Sequence, residues 1–211
     1  MALIWQEGLA PIVAILRGVR AHEIIDIASG LIDAGIGAIE VPLNSPQPIE
    51  TIKRLCSTFN DRCLCGAGTV LDPNEVEAVY QVGARLIVTP NTEPAVIERA
   101  AELGLTVFPG FATATEAFRA LQAGATGLKL FPAGTYGPSH VRALRDVLPK
   151  NVPLFAVGGV SSSNLNTWFE AGVFGVAIGG ELYRPGDQAS VIAERARAIV
   201  AAWRATTNKQ K

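Results

Sequence analysis

Charge is scarce in this chain of 211 residues: only 18% are Asp, Glu, Lys or Arg, and the formal net charge is −1. No cluster of lysines and arginines supplies the counterion-releasing face that a phosphate backbone demands, so nucleic acid is not an expected partner. Long apolar runs are missing too, each being broken within a few residues by Gly, Pro or a charge. The start, Met1-Ala2-Leu3-Ile4-Trp5, has no basic region leading into an apolar stretch. A cytoplasmic protein with no membrane partner is expected. Three cysteines occur, Cys56, Cys63 and Cys65, and Cys63-Leu64-Cys65 alternates like a strand instead of forming a redox Cys-x-x-Cys. They read as reduced core thiols. The two histidines, His22 and His140, have no Cys or carboxylate at ligand spacing, so no metal cofactor is expected. A Gly-x-Ser-x-Gly elbow, a Walker loop and a Gly-x-Gly-x-x-Gly turn are all lacking.

What is present, 49% hydrophobic residues, suffices for one substantial core and hardly for two. Its organisation shows in a recurring helix stop: Ala34-Gly35, Val82-Gly83, Leu103-Gly104, Ala123-Gly124 and Ala171-Gly172. Each glycine suits the left-handed position just past a helix, and each precedes a short apolar run. The runs are residues 36–41, 85–89, 105–108, 127–131 and 174–178. Gly83 to Gly104 is 21 residues, Gly104 to Gly124 is 20, and both Gly35 to Gly83 and Gly124 to Gly172 are 48, or two units of 24. The two skipped strands are residues 62–68 and 152–157, and residues 11–16 supply the first. Between them lie segments of helical length, such as Ile49 to Phe59 with Ile49, Ile52, Leu55, Cys56 and Phe59 at helical spacing. About eight alternating units predict an α/β fold, a single (β/α)8 TIM barrel over 1–204, with a doubly wound open sheet as the competing arrangement. The last helix would cover the barrel with Ile192, Ala196, Ile199, Val200 and Trp203, and residues 205–211 are expected to fray.

Strands of a parallel barrel should be nearly all apolar, so charges inside them need a reason. Lys129 interrupts the sixth strand in Gly127-Leu128-Lys129-Leu130-Phe131, and Glu40 sits near the end of the second in Gly37-Ala38-Ile39-Glu40-Val41. A structural ion pair, or a lysine snorkelling outward between helices, is the plain explanation. The chemical one is that burial strips ammonium solvation, lowers the lysine pKa and frees a nucleophilic amine, while a nearby carboxylate shuttles protons.

Other polar residues fall at the strand ends that form the reactive rim of such a barrel. Arg17 follows the first strand and reads as a carboxylate clamp or a surface ion pair. Asn44 and Ser45 follow the second. Thr69 follows the third and reads either as a hydroxyl donor or as a helix cap, although Asp72-Pro73 makes the better N-cap. Thr89-Pro90-Asn91 follows the fourth. Gly158-Gly159 and Gly179-Gly180, the latter before an expected short helix from Glu181, suit a phosphate cradle of backbone amides after strands seven and eight.

Taken together, Glu40-Val41-Pro42-Leu43-Asn44-Ser45-Pro46, Gly66-Ala67-Gly68-Thr69-Val70-Leu71, Val88-Thr89-Pro90-Asn91, Leu128-Lys129-Leu130-Phe131-Pro132 and Val157-Gly158-Gly159-Val160 resemble the 2-keto-3-deoxy-6-phosphogluconate and -galactonate aldolase family. The resemblance runs from Arg17 to about Tyr183. It implies a metal-free, cofactor-free class I aldolase on a (β/α)8 barrel, a homotrimer that converts a phosphorylated keto-deoxy sugar acid to pyruvate and D-glyceraldehyde 3-phosphate. Carried over by position, it makes Lys129 the Schiff-base lysine and Glu40 the general acid/base. It turns Thr69 and Arg17 toward the pyruvate carboxylate, lines the pyruvyl pocket with Pro90 and Phe131, and gives phosphate to the glycine pairs. Asn44 and Val157 stand where the phosphogluconate branch commonly has Arg and Thr, and both resemble the galactonate branch. At Gly180 relatives usually carry Ser, so one hydroxyl donor to phosphate is lost. Two other functions stay open on the residues alone: a phosphosugar isomerase or epimerase without covalent catalysis, and a catalytically silent sugar-phosphate binding barrel.

Overall fold

The five helix-ending glycines all adopt the left-handed backbone the repeat calls for, with φ of 100° at Gly35, 94° at Gly83, 70° at Gly104, 100° at Gly124 and 99° at Gly172. A side chain there would strain the backbone, so each glycine stops a helix and turns the chain into the next strand. The computed structural model describes residue 5 and residues 8–207.

The elements alternate along the chain. They are β1 (Ala10–Ile15), α1 (Ile24–Asp33), β2 (Ile36–Pro42), α2 (Pro48–Phe59), β3 (Leu64–Gly68), α3 (Pro73–Gln81), β4 (Leu86–Val88) and α4 (Pro94–Glu102), followed by β5 (Thr106–Phe108) and β6 (Gly110–Phe111). The second half continues with α5 (Ala114–Gln122), β7 (Leu128–Leu130), α6 (Ala133–Val147), β8 (Leu154–Val157), α7 (Leu165–Glu170), β9 (Gly175–Ile178) and α8 (Ala189–Thr207). All pairings are parallel, in the order β5-β4-β3-β2-β1-β9-β8-β7-β6. The outermost segments, β5 and β6, are consecutive in the chain and separated only by Pro109, whose missing N–H interrupts the ladder. They are two halves of one strand, so the nine segments fill eight positions of a (β/α)8 barrel and the open-sheet alternative falls away.

Helix starts follow local chemistry. Pro stands in the first turn of α2, α3 and α4. Asp72 caps α3 by accepting from Asn74 N at 2.7 Å while Glu75 bonds back to the Asp72 N–H at 3.2 Å. Thr113 and Glu116 make the same reciprocal box at α5. Asp72 thus takes the capping duty and leaves the Thr69 hydroxyl for other use.

There are two cores. The larger lies between the barrel and its helices, and the smaller, inside the barrel, holds Val13, Ala38, Leu86, Val88, Phe108, Phe155, Val157 and Ala177. Phe108 and Phe155 lie 4.6 Å apart by ring centroid, and Trp5 joins Phe155 at 5.9 Å from the strand-start end. These rings fill the barrel interior toward the strand-start end.

Ile192, Ala196, Ile199 and Val200 of α8 are buried as expected, with Trp203 packed against the same core. The helix continues to Thr207, past Arg204 where fraying was expected; the rest of the expected frayed segment, residues 208–211, lies outside the described residues. The short helix expected from Glu181 is a single turn, in which Leu182 and Tyr183 both donate to Gly179 O at 2.8 and 2.9 Å. Pro185 has no N–H to prolong it, and the Gly180 carbonyl is taken by Arg184 Nε at 3.0 Å. Among the described residues no helix is long and apolar enough to cross a membrane.

Candidate active site

Successive strand residues point alternately into and out of a barrel. Lys129 shares its register with Phe155 of the interior core, and Glu40 with Gly66. Both charged side chains therefore turn inward, above the aromatic floor, and only 7% of Lys129 and 2% of Glu40 is exposed.

Neither plain explanation of the lysine fits this geometry. Lys129 does not snorkel, and its Nζ donates to the Thr89 carbonyl at 3.1 Å, with the Phe131 ring centroid 4.9 Å away. Glu40 Oε2 is buried with no hydrogen-bond partner among the described residues. The two groups sense each other as charges without a direct bond. Burial lowers the Lys129 pKa from its usual value, Glu40 raises it back in part, and Arg17 lowers it further. Burial pushes the Glu40 carboxyl up to about 7, against the opposing pull of Lys129 and Arg17. A carboxyl that titrates near neutrality can both give and take a proton, and an amine with a depressed pKa is a better nucleophile.

Gly68 makes this placement possible. A Cβ there would lie 1.6 Å from Glu40 Oε2 and 2.2 Å from its carboxyl carbon, so the carboxyl occupies the volume a side chain would need. On the other side, Thr89 accepts from Gly110 N at 3.3 Å and donates to Asn91 O at 2.5 Å, which fixes the turn carrying the Lys129 acceptor. Pro90 belongs to this turn, and its carbonyl lies where a Cβ on Gly110 would come within 2.2 Å.

Beside the pair, against Arg17 and Phe131, opens a pocket of about 730 Å³ whose lining includes none of Lys129, Glu40, Thr69 and Pro90. Arg17, Phe131, Val157, Gly158, Gly159, Gly179 and Gly180, all singled out from the sequence, line it. Phe131, 39% exposed, spans the distance between the buried Lys129 amine and solvent. Thr69 enters through Arg17, whose Nη2 reaches its hydroxyl at 3.4 Å while Nη1 bonds Asn44 Oδ1 at 2.5 Å. Thr69 holds φ at 56°, a left-handed backbone unusual for a non-glycine, which aims its side chain at that guanidinium. Ser45 is buried and accepts from Gly18 N at 2.9 Å, tying the loops after β1 and β2 together. Gly158 and Gly159 have φ of 90° and 74°, and their carbonyls are occupied by Gly134 N and Asn164 Nδ2 at 2.9 and 2.8 Å. What the pair can offer the pocket is its amides.

Several lining residues escaped the sequence reading, among them Ile15, Ser161, Tyr183 and Arg184. Asn44 was placed at the rim without its bond to Arg17. Among the described residues no group of three or more His, Cys, Asp or Glu could hold a metal ion. His140 instead faces the Ala112 carbonyl at 2.7 Å and stacks on Tyr136. Cys56, Cys63 and Cys65 are free and buried, with the Cys56 and Cys65 thiols held well above the usual range, by burial at Cys56 and, at Cys65, chiefly by the hydrogen bond of its thiol with Cys63.

Comparison with known proteins places relatives along nearly the whole chain. Residues 6–197 match the family described as KDPG and KHG aldolase. The 2-dehydro-3-deoxy-6-phosphogalactonate aldolase of Escherichia coli (strain K12) is 48% identical over 95% of this chain and 97% of its own. The probable enzyme of the same name from Rhizobium meliloti (strain 1021) is 45% identical over 95% of both chains. A solved structure of native KDPGal superposes with a TM-score of 0.95 at 47% identity, covering 98% of this chain and all of its own.

Proposed function

Since the chain belongs to the KDPG and KHG aldolase family, we propose that it cleaves 2-dehydro-3-deoxy-6-phosphogalactonate to pyruvate and D-glyceraldehyde 3-phosphate through a Schiff base on Lys129. The observation that carries this reading is a lysine amine with lowered pKa buried beside a rim pocket, close to a carboxyl that titrates near 7.

Neutral Lys129 Nζ attacks the C2 ketone. Glu40 hands a proton to the departing hydroxyl as the carbinolamine loses water, leaving an iminium. The Glu40 carboxylate, directly or through a water it holds, takes the C4 hydroxyl proton, the C3–C4 bond breaks, and its electron pair flows into the iminium to give an enamine. The aldehyde half leaves with the phosphate. C3 then takes up a proton, and water displaces pyruvate from the lysine. Arg17, steadied by Asn44 and Thr69, holds the substrate carboxylate, Pro90 and Phe131 bound the pyruvyl group, and the amides after β8 and β9 receive the phosphate. Val157 presents a methyl where a threonine would offer a hydroxyl, which favours the galactonate epimer. The protein works in the cytoplasm as a homotrimer, to which exposed rings such as Phe118 and Tyr136 give apolar surface to bury.

Incubation with pyruvate and sodium borohydride, followed by intact mass and peptide mapping, tests the proposal. A reduced pyruvyl adduct on Lys129 supports it. An unmodified protein overturns covalent catalysis and favours an isomerase or a binding barrel.

A further inference from the structure

Among the described residues the pocket has two cationic side chains in its wall, Arg17 and Arg184. Arg17 acts electrostatically on both Lys129 and Glu40, whereas Arg184 contributes to neither, so the two arginines serve different ends of the cavity. A phosphorylated keto-deoxy sugar acid is likewise anionic at both ends, with a carboxylate beside the reacting ketone and a phosphate at the far carbon.

We propose that Arg184 binds the phosphate end of the substrate, supplying with a guanidinium the donor that Gly180 lacks. This rests on the aldolase reading. Arg184 Nε donates to the Gly180 carbonyl at 3.0 Å, which fixes the guanidinium at the glycine pair after β9. Its Nη groups make no hydrogen bond or ion pair among the described residues, leaving four N–H donors in a planar fork suited to phosphate oxygens. Nothing lies within 4 Å of where a Cβ on Gly180 would be, so the volume a serine side chain would fill stays open beside that fork. Glu181 lines the same wall, and its carboxylate would repel a phosphate unless a neighbouring cation offset it. The turn at residues 179–183 is too short to act as a helix N-terminus, so backbone amides alone bring little dipole to the task.

The test compares kcat/KM for the phosphorylated substrate with that for its unphosphorylated analogue in wild type and in Arg184→Gln. The preference for phosphate should fall about ten- to a hundredfold, as the loss of a charge-assisted hydrogen bond implies, mostly through KM. Inhibition by inorganic phosphate should weaken in parallel. Adding Gly180→Ser to Arg184→Gln should restore part of the preference, which a merely structural arginine would not do. An unchanged preference, or equal losses on both substrates, overturns the role of Arg184. Pyruvate trapping by borohydride reports the aldolase reading separately: an adduct in Arg184→Gln with unchanged preference removes only the phosphate assignment, and no adduct in wild type removes both.

Discussion

Lys129 Nζ bonds the Thr89 carbonyl at 3.1 Å and leaves Glu40 Oε2 without a hydrogen-bond partner among the described residues. A direct ion pair would have tied the amine to the carboxylate as ammonium and blunted both. Held apart, each keeps a proton affinity set mainly by its own desolvation.

Removing the amine tests that division. Lys129→Met keeps the length of the buried stem but has no nucleophile, so turnover should drop by about three orders of magnitude or more with no pyruvyl adduct. Because Lys129 lowers the Glu40 pKa in the wild type, the carboxyl should titrate above about 7 in the variant, readable by infrared or NMR titration. Near-normal turnover would sink the Schiff-base mechanism.

Glu40 links activity to stability. Its folded pKa of about 7 lies above the ordinary glutamate value of 4.5, so the folded state holds this proton more tightly than the unfolded chain. The stability it contributes is complete below about 4.5 and is lost as pH rises through about 7. Glu40→Gln, which cannot ionise, should match the wild type near pH 4.5 and gain on it progressively up to pH 7–8, by a few kcal/mol at most. Lys129 titrates differently in the two proteins, because Glu40 raises its pKa in the wild type, so the Glu40 carboxyl is followed by infrared titration alongside Tm. The same variant should lose most of its kcat. A stability difference that stays flat across this range would show that burial does not raise the Glu40 pKa.

Two glycines of β3 separate site from scaffold. A Cβ on Gly68 collides with the Glu40 carboxyl, the end of a side chain, whereas one on Gly66 comes within 1.9 Å of the Leu86 backbone carbonyl. Gly68→Ala should fold with a modest fall in Tm and lose kcat about a hundredfold, because Glu40 must swing away from the reacting carbons. Gly66→Ala forces β3 and β4 apart and should fold poorly or not at all. Circular dichroism melts with steady-state kinetics distinguish these outcomes; equal damage from both would deny Gly68 its particular tie to Glu40.

The barrel was legible because a βα unit has a fixed rhythm, and the glycines that end helices mark it in the sequence. Lys129 and Glu40 were legible for a related reason: a charge in a buried strand is costly, so its presence calls for a use. Arg184 gave no such signal. It lies exposed in a loop that reads as surface, and only the return of β9 beside β8 brings it to the pocket. The break at Pro109 and the single turn at Glu181 were hidden likewise, the second because Arg184 competes for a carbonyl that a helix would have used. The bond between Arg17 and Asn44 joins residues 27 apart, a pairing that local spacing does not encode.

Epimer preference should turn on a single atom in the pocket wall. Val157 is buried at the end of β8, beside Phe155 in the interior core, with its side chain in the lining of the pocket. Threonine has nearly the same shape but replaces one methyl by a hydroxyl, so Val157→Thr should leave the barrel folded while offering a new donor and acceptor to the substrate. A site that merely lacks a hydrogen bond discriminates weakly, by about ten- to a hundredfold, whereas one built to make it rejects the wrong partner more strongly. The variant should therefore gain about tenfold in kcat/KM toward the gluconate epimer relative to the galactonate epimer, measured as pyruvate release from each. The pyruvyl adduct on Lys129 should be unaffected, since the substitution leaves the amine and its bond to the Thr89 carbonyl in place. If the ratio of the two epimers stays at its wild-type value, stereochemical choice lies elsewhere in the wall, and Asn44, which positions Arg17, becomes the residue to exchange next.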